Sequence, residues 1–217
     1  MAVSVELEPS LESTCDWPSP GRSGAWDGAT LSKLTRHQVS VTALVLSMAE
    51  QSLPEGFSAS DIQRECPEAP SALGLESKQI VFCDFPVRRF LQYRQEILEL
   101  LVQFDREYEP DLVFCPSLTD THQDHQVVSE DYLRAFRSRS VFGYELPWNN
   151  HGFSPSVSNL VTLDDVNNKE LSLSCCVTQN SKPYFKPRLL EDLARLRASV
   201  THSEFAESFD VIRAVIQ

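Results

Sequence analysis

Strand-like and helix-like patterns alternate along this chain. The alternation predicts an α/β domain with a mostly parallel sheet and helices on both faces. Two observations carry that prediction. Residues 39–47 start with alternating polar and apolar side chains and become continuously apolar, as a strand covered on both faces does. Residues 90–108 place Leu91, Ile97, Leu98, Leu101 and Phe104 at helical spacing, and after Pro110 a short apolar run, residues 112–115, reads as another buried strand.

Residues 1–28 do not resemble the start of such a domain. Residues 3–7 alternate like a short strand, but Pro9, Pro18, Pro20, Gly21, Gly24 and Gly28 with serines between them have the composition of a loop or disordered segment. The expected division is therefore an atypical segment, 1–28, and one domain, 29–217. Residues 29–37 form one or two helical turns. A helix over 60–73 is expected to break at Pro67 and Pro70 and to end at Gly74. Residues 79–84 give a second strand. Beyond 112–115 the pattern predicts a helix over 125–137, a strand over 140–146, a short strand over 160–163, and helices over 166–177 and 189–199. Residues 209–212 are extended near the end.

The chain has 19 Lys and Arg against 31 Asp and Glu, a formal net charge of -12, which argues against nucleic acid or an anionic membrane as partner. No apolar run approaches the ~18 residues of a membrane span. No basic region followed by an apolar segment suggests a signal peptide. The six cysteines have no framework spacing and three lie in apolar runs, so reduced thiols and a cytoplasmic location are expected. Oligomeric state is not legible.

The chemistry-bearing stretch follows the run at 112–115. Asp120, His122, Asp124 and His125 sit within six residues, in a loop at the carboxyl end of a strand, where open α/β sheets place their ligands. Two imidazoles and two carboxylates can bind a metal or move protons. The spacing lets Asp124 orient a neighbouring imidazole. A polar loop with an Asp cap on the next helix accounts for the same residues equally well. His37, His151 and His202 are isolated and read as surface or capping residues. Tyr144, Trp148 and Phe153 suit ordinary aromatic packing, with sugar stacking as the alternative. Cys175-Cys176 lacks further donors at zinc spacing.

Over residues 29–215 the chain resembles the PIG-L/LmbE family of zinc-dependent deacetylases of N-acetylated sugars. The resemblance rests on Asp111-Leu112-Val113-Phe114 leading into Pro116-Ser117, on Asp120-Thr121-His122-Gln123-Asp124-His125, on Arg134-Ala135-Phe136 and on Gly143-Tyr144-Glu145-Leu146-Pro147-Trp148-Asn149. Residues 179–184 and Phe205-Ala206-Glu207-Ser208-Phe209 extend it. It implies a Rossmann-like three-layer sandwich. It also implies zinc held by His125, an oxyanion steadied by His122, Asp124 orienting that imidazole, and substrate contacts from Arg64 and Asp84. The alternative for Arg64 is an ordinary surface charge.

The family's other motif, His-Pro-Asp-Asp after the first strand, supplies two zinc ligands and the general base. Counted back from residues 29–34, it falls on Ser19-Pro20-Gly21-Arg22, where only the proline matches. A catalytic zinc takes three protein ligands plus water. His125 alone cannot hold it, so zinc binding by this chain is not expected. The preceding apolar strand is also missing from the pattern, so the first strand is expected to be absent or distorted. The resemblance thus implies a deacetylase of N-acetylglucosamine-type sugars that is impaired or inactive. The alternative is a non-catalytic relative that keeps the fold and a sugar cleft. Codons for residues 15–22 read one nucleotide later can give Val-Ile-Gly-Pro-His-Pro-Asp-Asp, with the glycine forced by Trp17-Pro18, which points to a frameshift upstream of Cys15 restored near Gly28.

Overall fold

The structure is a computed structural model that describes residues 12–17, 26–48, 53–179 and 186–216, with 12–17, 59, 62–66 and 187 as backbone only. In chain order the strands are β1 (Glu12–Trp17), β2 (Ser40–Val45), β3 (Ile80–Phe82), β4 (Leu112–Pro116), β5 (Ser140–Tyr144), β6 (Val157–Val161) and β7 (Phe205–Arg213). The helices are α1 (Gly28–Arg36), α2 (Ala59–Ala72), α3 (Arg94–Tyr108), α4 (Gln123–Ala135), α5 (Leu163–Ser174) and α6 (Pro187–Ala198). They build one sheet in the order β3-β2-β1-β4-β5-β7-β6. β1 to β5 are parallel, and β7 runs antiparallel to both β5 and β6. This is the expected Rossmann-like α/β sandwich.

The period of two along the strands divides the core between the faces of the sheet. Val41, Ala43 and Val45 of β2 and Phe114 of β4 pack in one cluster with Leu31 and Leu34 of α1, Leu173 of α5 and Leu190 of α6. Leu44 of β2 and Val113 and Cys115 of β4 pack on the other side with Ile97, Leu101 and Phe104 of α3 and Val127, Val128 and Tyr132 of α4. Among the described residues no helix is long and apolar enough to cross a membrane.

The sequence pattern starts the strand of 160–163 and the helix of 166–177 three residues late, against β6 and α5, and misreads β1, α2 and β7 more deeply. The first strand is present, contrary to expectation. β1 lies inside the segment read as loop and pairs over its full length with β2, from Glu12 opposite Ser40 to Trp17 opposite Val45, and on its other side with β4. Its residues are a poor strand sequence. An empty slot, however, would strand the backbone N–H and C=O groups of two buried neighbours, so pairing outweighs propensity. α2 runs unbroken through Pro67 and Pro70. Each proline removes one helical hydrogen bond. The helix is started by a capping box in which Asp61 accepts the Ser58 N–H at 2.9 Å, and its far end is held by buried Ala69 and Leu73. β7 spans nine residues rather than the expected four.

Candidate active site

The chain leaves β1 towards α1 and β2 on one side, and leaves β4 towards α4 and β5 on the other. β1 and β4 are neighbours, so the crevice beyond their carboxyl ends is the topological switch point, where such sheets bind ligands. Residues 117–122 run from β4 to α4 along this crevice, and several contacts fix their path. The Ser117 N–H donates to the Tyr144 carbonyl at 3.2 Å and its hydroxyl to the Asp210 carboxylate of β7. Gly143 of β5 lets the two segments meet, since a Cβ there would lie 2.8 Å from the Ser117 Cα. The Thr121 hydroxyl donates to the Asn149 carbonyl at 3.0 Å, and the Asn150 side-chain amide donates to the Thr119 hydroxyl at 3.0 Å.

Within this loop Asp120 is buried and holds the His122 backbone and the His125 imidazole. Its Oδ1 accepts the His122 backbone N–H at 2.7 Å, and its Oδ2 lies 2.7 Å from His125 Nδ1. A carboxylate only accepts, so a neutral His125 has its proton on Nδ1 and its lone pair on Nε2, the form a metal ligand or a base requires. His122 is in the opposite state. It caps α4, and its Nδ1 accepts the Asp124 backbone N–H at 3.3 Å. When neutral, its proton is on Nε2, which makes it a donor suited to steadying an oxyanion. The two rings lie 4.4 Å apart, centroid to centroid. The loop and the first turn of α4 thus hold a donor imidazole beside an acceptor imidazole.

Asp124 is buried, and its carboxylate accepts backbone N–H groups from Arg88 at 2.5 Å and Phe90 at 3.3 Å. It fastens the segment after β3 to α4, and the carboxylate paired with His125 is Asp120. Sequence reading placed Asp120 in the cluster but gave it no orienting role. Asp84 is exposed on the segment after β3, at the same end of the sheet. Arg64 lies in α2, and its side chain is outside the described residues, as are Ser19, Pro20, Gly21 and Arg22. His37, His151 and His202 are exposed. Tyr144 is core, Trp148 packs edge-on against Trp26 at 4.5 Å, and Phe153 lies under the Arg197 guanidinium.

Among the described residues no group of three His, Cys, Asp or Glu is placed to hold a metal ion. The connection from β1 to Trp26, residues 18–25, contains none of those residue types at all.

Glu207 of β7 was assigned no role from sequence. Its carboxylate accepts the Ala29 N–H at 3.1 Å and the Thr30 N–H at 2.6 Å, and pairs with Lys169 Nζ at 2.7 Å. It caps α1, the helix that opens beyond residues 18–25. Its partners lie far away in sequence, so no local pattern points to it.

The family model described as GlcNAc-PI de-N-acetylase (PIG-L) matches residues 26–136. No curated protein matches the chain by sequence. Several solved structures share its fold. The conserved protein TT1542 from Thermus thermophilus is 20% identical with a TM-score of 0.77, covering 95% of this chain and 97% of its own. The N,N'-diacetylchitobiose deacetylase from Pyrococcus horikoshii is 17% identical with a TM-score of 0.73, covering 94% and 84%. GalB, the 4-carboxy-2-hydroxymuconate hydratase from Pseudomonas putida KT2440, is 15% identical with a TM-score of 0.71, covering 95% and 98%.

Proposed function

We propose a function for this chain on one premise: it belongs to the GlcNAc-PI de-N-acetylase (PIG-L) family. That makes it a deacetylase-type hydrolase by descent. Our reading is a sugar-amide deacetylase whose catalytic crevice keeps one half and has lost the other. The retained half is the β4–α4 loop with the first turn of α4. There His122 serves as the donor to a developing oxyanion, and His125, oriented by Asp120, offers its Nε2 as an acceptor. The ligand class is an N-acetylglucosamine-type sugar, bound at the crevice between β1 and β4. The exposed Asp84 segment forms the rim towards β3, and Arg64 is the further substrate contact by resemblance.

The lost half is the metal. In family members zinc supplies the activated water. Here His125 is a single ligand and residues 18–25 hold no donor, which leaves that step without its ion. The absent donor set is the observation that carries the reading. This chain is therefore impaired or inactive as a deacetylase, and a sugar-binding relative without turnover is the form in which it functions if that cleft is used.

The test has two readouts on the purified chain. Metal analysis is expected to give far less than one zinc per chain, and N-acetylglucosamine conjugates are expected to release no acetate. One zinc per chain together with turnover would show that other donors complete the site, and would overturn the reading.

A further inference from the structure

The segment that Asp124 fastens to α4 contains an arginine in a place that suits glycine. Residues 86–89 form a turn closed by the Arg89 N–H on the Pro86 carbonyl at 3.1 Å. Arg88 occupies its third position with φ at 66°, where turns normally use Gly or Asn. The strain persists because both backbone groups of Arg88 are held by the His-Gln-Asp-His motif. Its N–H donates to Asp124 Oδ2 at 2.5 Å, and its carbonyl accepts from Gln123 Nε2 at 2.7 Å. Glycine would satisfy the same bonds without strain, so the guanidinium is what arginine adds there.

That guanidinium is exposed and, among the described residues, has no ion pair. Arg36, Arg94, Arg134, Arg139, Arg195 and Arg197 each hold a carboxylate. Arg89 beside it is exposed and likewise unpaired among the described residues. Both line an open groove with Gln92, Gln123 and Gln126, and the one exposed carboxylate there, Glu130, is already paired with Arg94 at 2.8 Å. The segment crosses from the end of β2, where the Phe85 N–H donates to the Leu46 carbonyl at 3.0 Å, to the start of α4 beside His122. It therefore reaches the first turn of α4, next to the crevice, and the Arg88 backbone is joined there to Gln123 and Asp124.

We propose that Arg88, with Arg89 beside it, is a specificity-determining residue that selects sugars bearing an oxyanion, a phosphate or a carboxylate. A guanidinium fork matches two oxygens of either group. The inference rests on the reading that the crevice binds an N-acetyl sugar, and the experiment separates the two. Ligand-observed NMR titrations of the full chain would compare N-acetylglucosamine, N-acetylglucosamine 1-phosphate, N-acetylmuramic acid and inorganic phosphate. At low salt at least one anionic sugar is expected to bind about tenfold more tightly than N-acetylglucosamine. The two anionic sugars identify which oxyanion is preferred, and added salt should erode the gain. Arg88→Gly should abolish the preference, leave N-acetylglucosamine binding intact and not lower the melting temperature, whereas Arg88→Lys should keep part of the preference. Equal affinities in the wild type, a preference that survives Arg88→Gly, or inorganic phosphate binding as tightly as the sugar phosphate would each overturn the proposal. Binding of N-acetylglucosamine without an anion preference defeats this inference alone, whereas no binding of any sugar defeats the functional reading and this inference with it.

Discussion

Glu207→Gln tests how the helix behind the crevice is held. The carboxylate and the Lys169 ammonium are both buried, and the carboxylate also accepts the Ala29 and Thr30 N–H groups of α1 at 3.1 and 2.6 Å. Lys169 further donates to the Trp26 carbonyl at 2.6 Å and lies over the Trp26 ring. A glutamine fills the same volume. Its carbonyl can still accept one backbone N–H, but its NH2 must face a second donor, and the ammonium is left buried without a counter-charge. Breaking one side of a buried pair costs about 3–5 kcal/mol, far above the ~1 kcal/mol of a lost helix cap alone. For a chain of this length that is roughly a 6–15 °C fall in melting temperature. Urea denaturation followed by far-UV circular dichroism measures it. Adding Lys169→Met to Glu207→Gln removes the uncompensated charge and should recover part of the loss. A cost for Glu207→Gln below ~1 kcal/mol, or a double variant no more stable than the single one, would refute the reasoning.

Gly143→Ala places a methyl 2.8 Å from the Ser117 backbone, so it should lower the urea stability by about 1–3 kcal/mol, and an unchanged midpoint would mean that the contact is looser than described. Imidazole 15N NMR should find the neutral His125 protonated on Nδ1 and the neutral His122 on Nε2, and the reverse tautomers would remove the donor–acceptor assignment. Burial raises the Asp165 carboxyl, but bonds from Arg36 and Thr162 outweigh it and hold the group below its ordinary 3.8. A depressed carboxyl stabilises the fold above its unfolded value and loses that contribution as pH falls through the folded one. The stability gap between wild type and Asp165→Asn should thus be full near neutral pH and close below 3.8; a gap that widens in acid would reverse the sign.

Residues whose partners are close in sequence were legible, and residues whose partners are remote were not. The period of two in β2 and β4 and the helical spacing of α3 follow from side chains that meet their neighbours within a few positions. The His-Gln-Asp-His spacing was readable for the same reason. The pairing of Asp120 with His125 spans a loop and the first turn of α4, so it forms only once the loop is fixed by Asn149, Asn150 and Asp210. β7 was read short because Glu207 and Ser208 interrupt its apolar signal. Both are buried, and Glu207 is there for the start of α1, far away in sequence. Arg88 gave no turn signal because the residue in the positive-φ position is not glycine.

β1 is the case where sequence and slot disagree, and the disagreement yields a prediction about the gene. In register, position 15 lies between Ala43 and Phe114 and position 16 opposite Leu44. All three neighbours are buried core residues, so a central parallel strand here should be apolar. The chain instead has Cys15 and Asp16. Read one nucleotide later, the same codons permit Val and Ile at those positions and force Gly at 17, where the strand ends. The shifted frame then reaches His-Pro-Asp-Asp at positions 19–22, directly after β1 in the chain, and β1 is the neighbour of β4, which leads to His122 and His125. One shift would repair both the strand and the donor set, two faults that are otherwise unrelated. Sequencing the codons for residues 12–28 should find a base order that spells Val-Ile-Gly and then His-Pro-Asp-Asp in that frame. An order unable to do so would make the polar strand and the missing donors a true divergence of this chain.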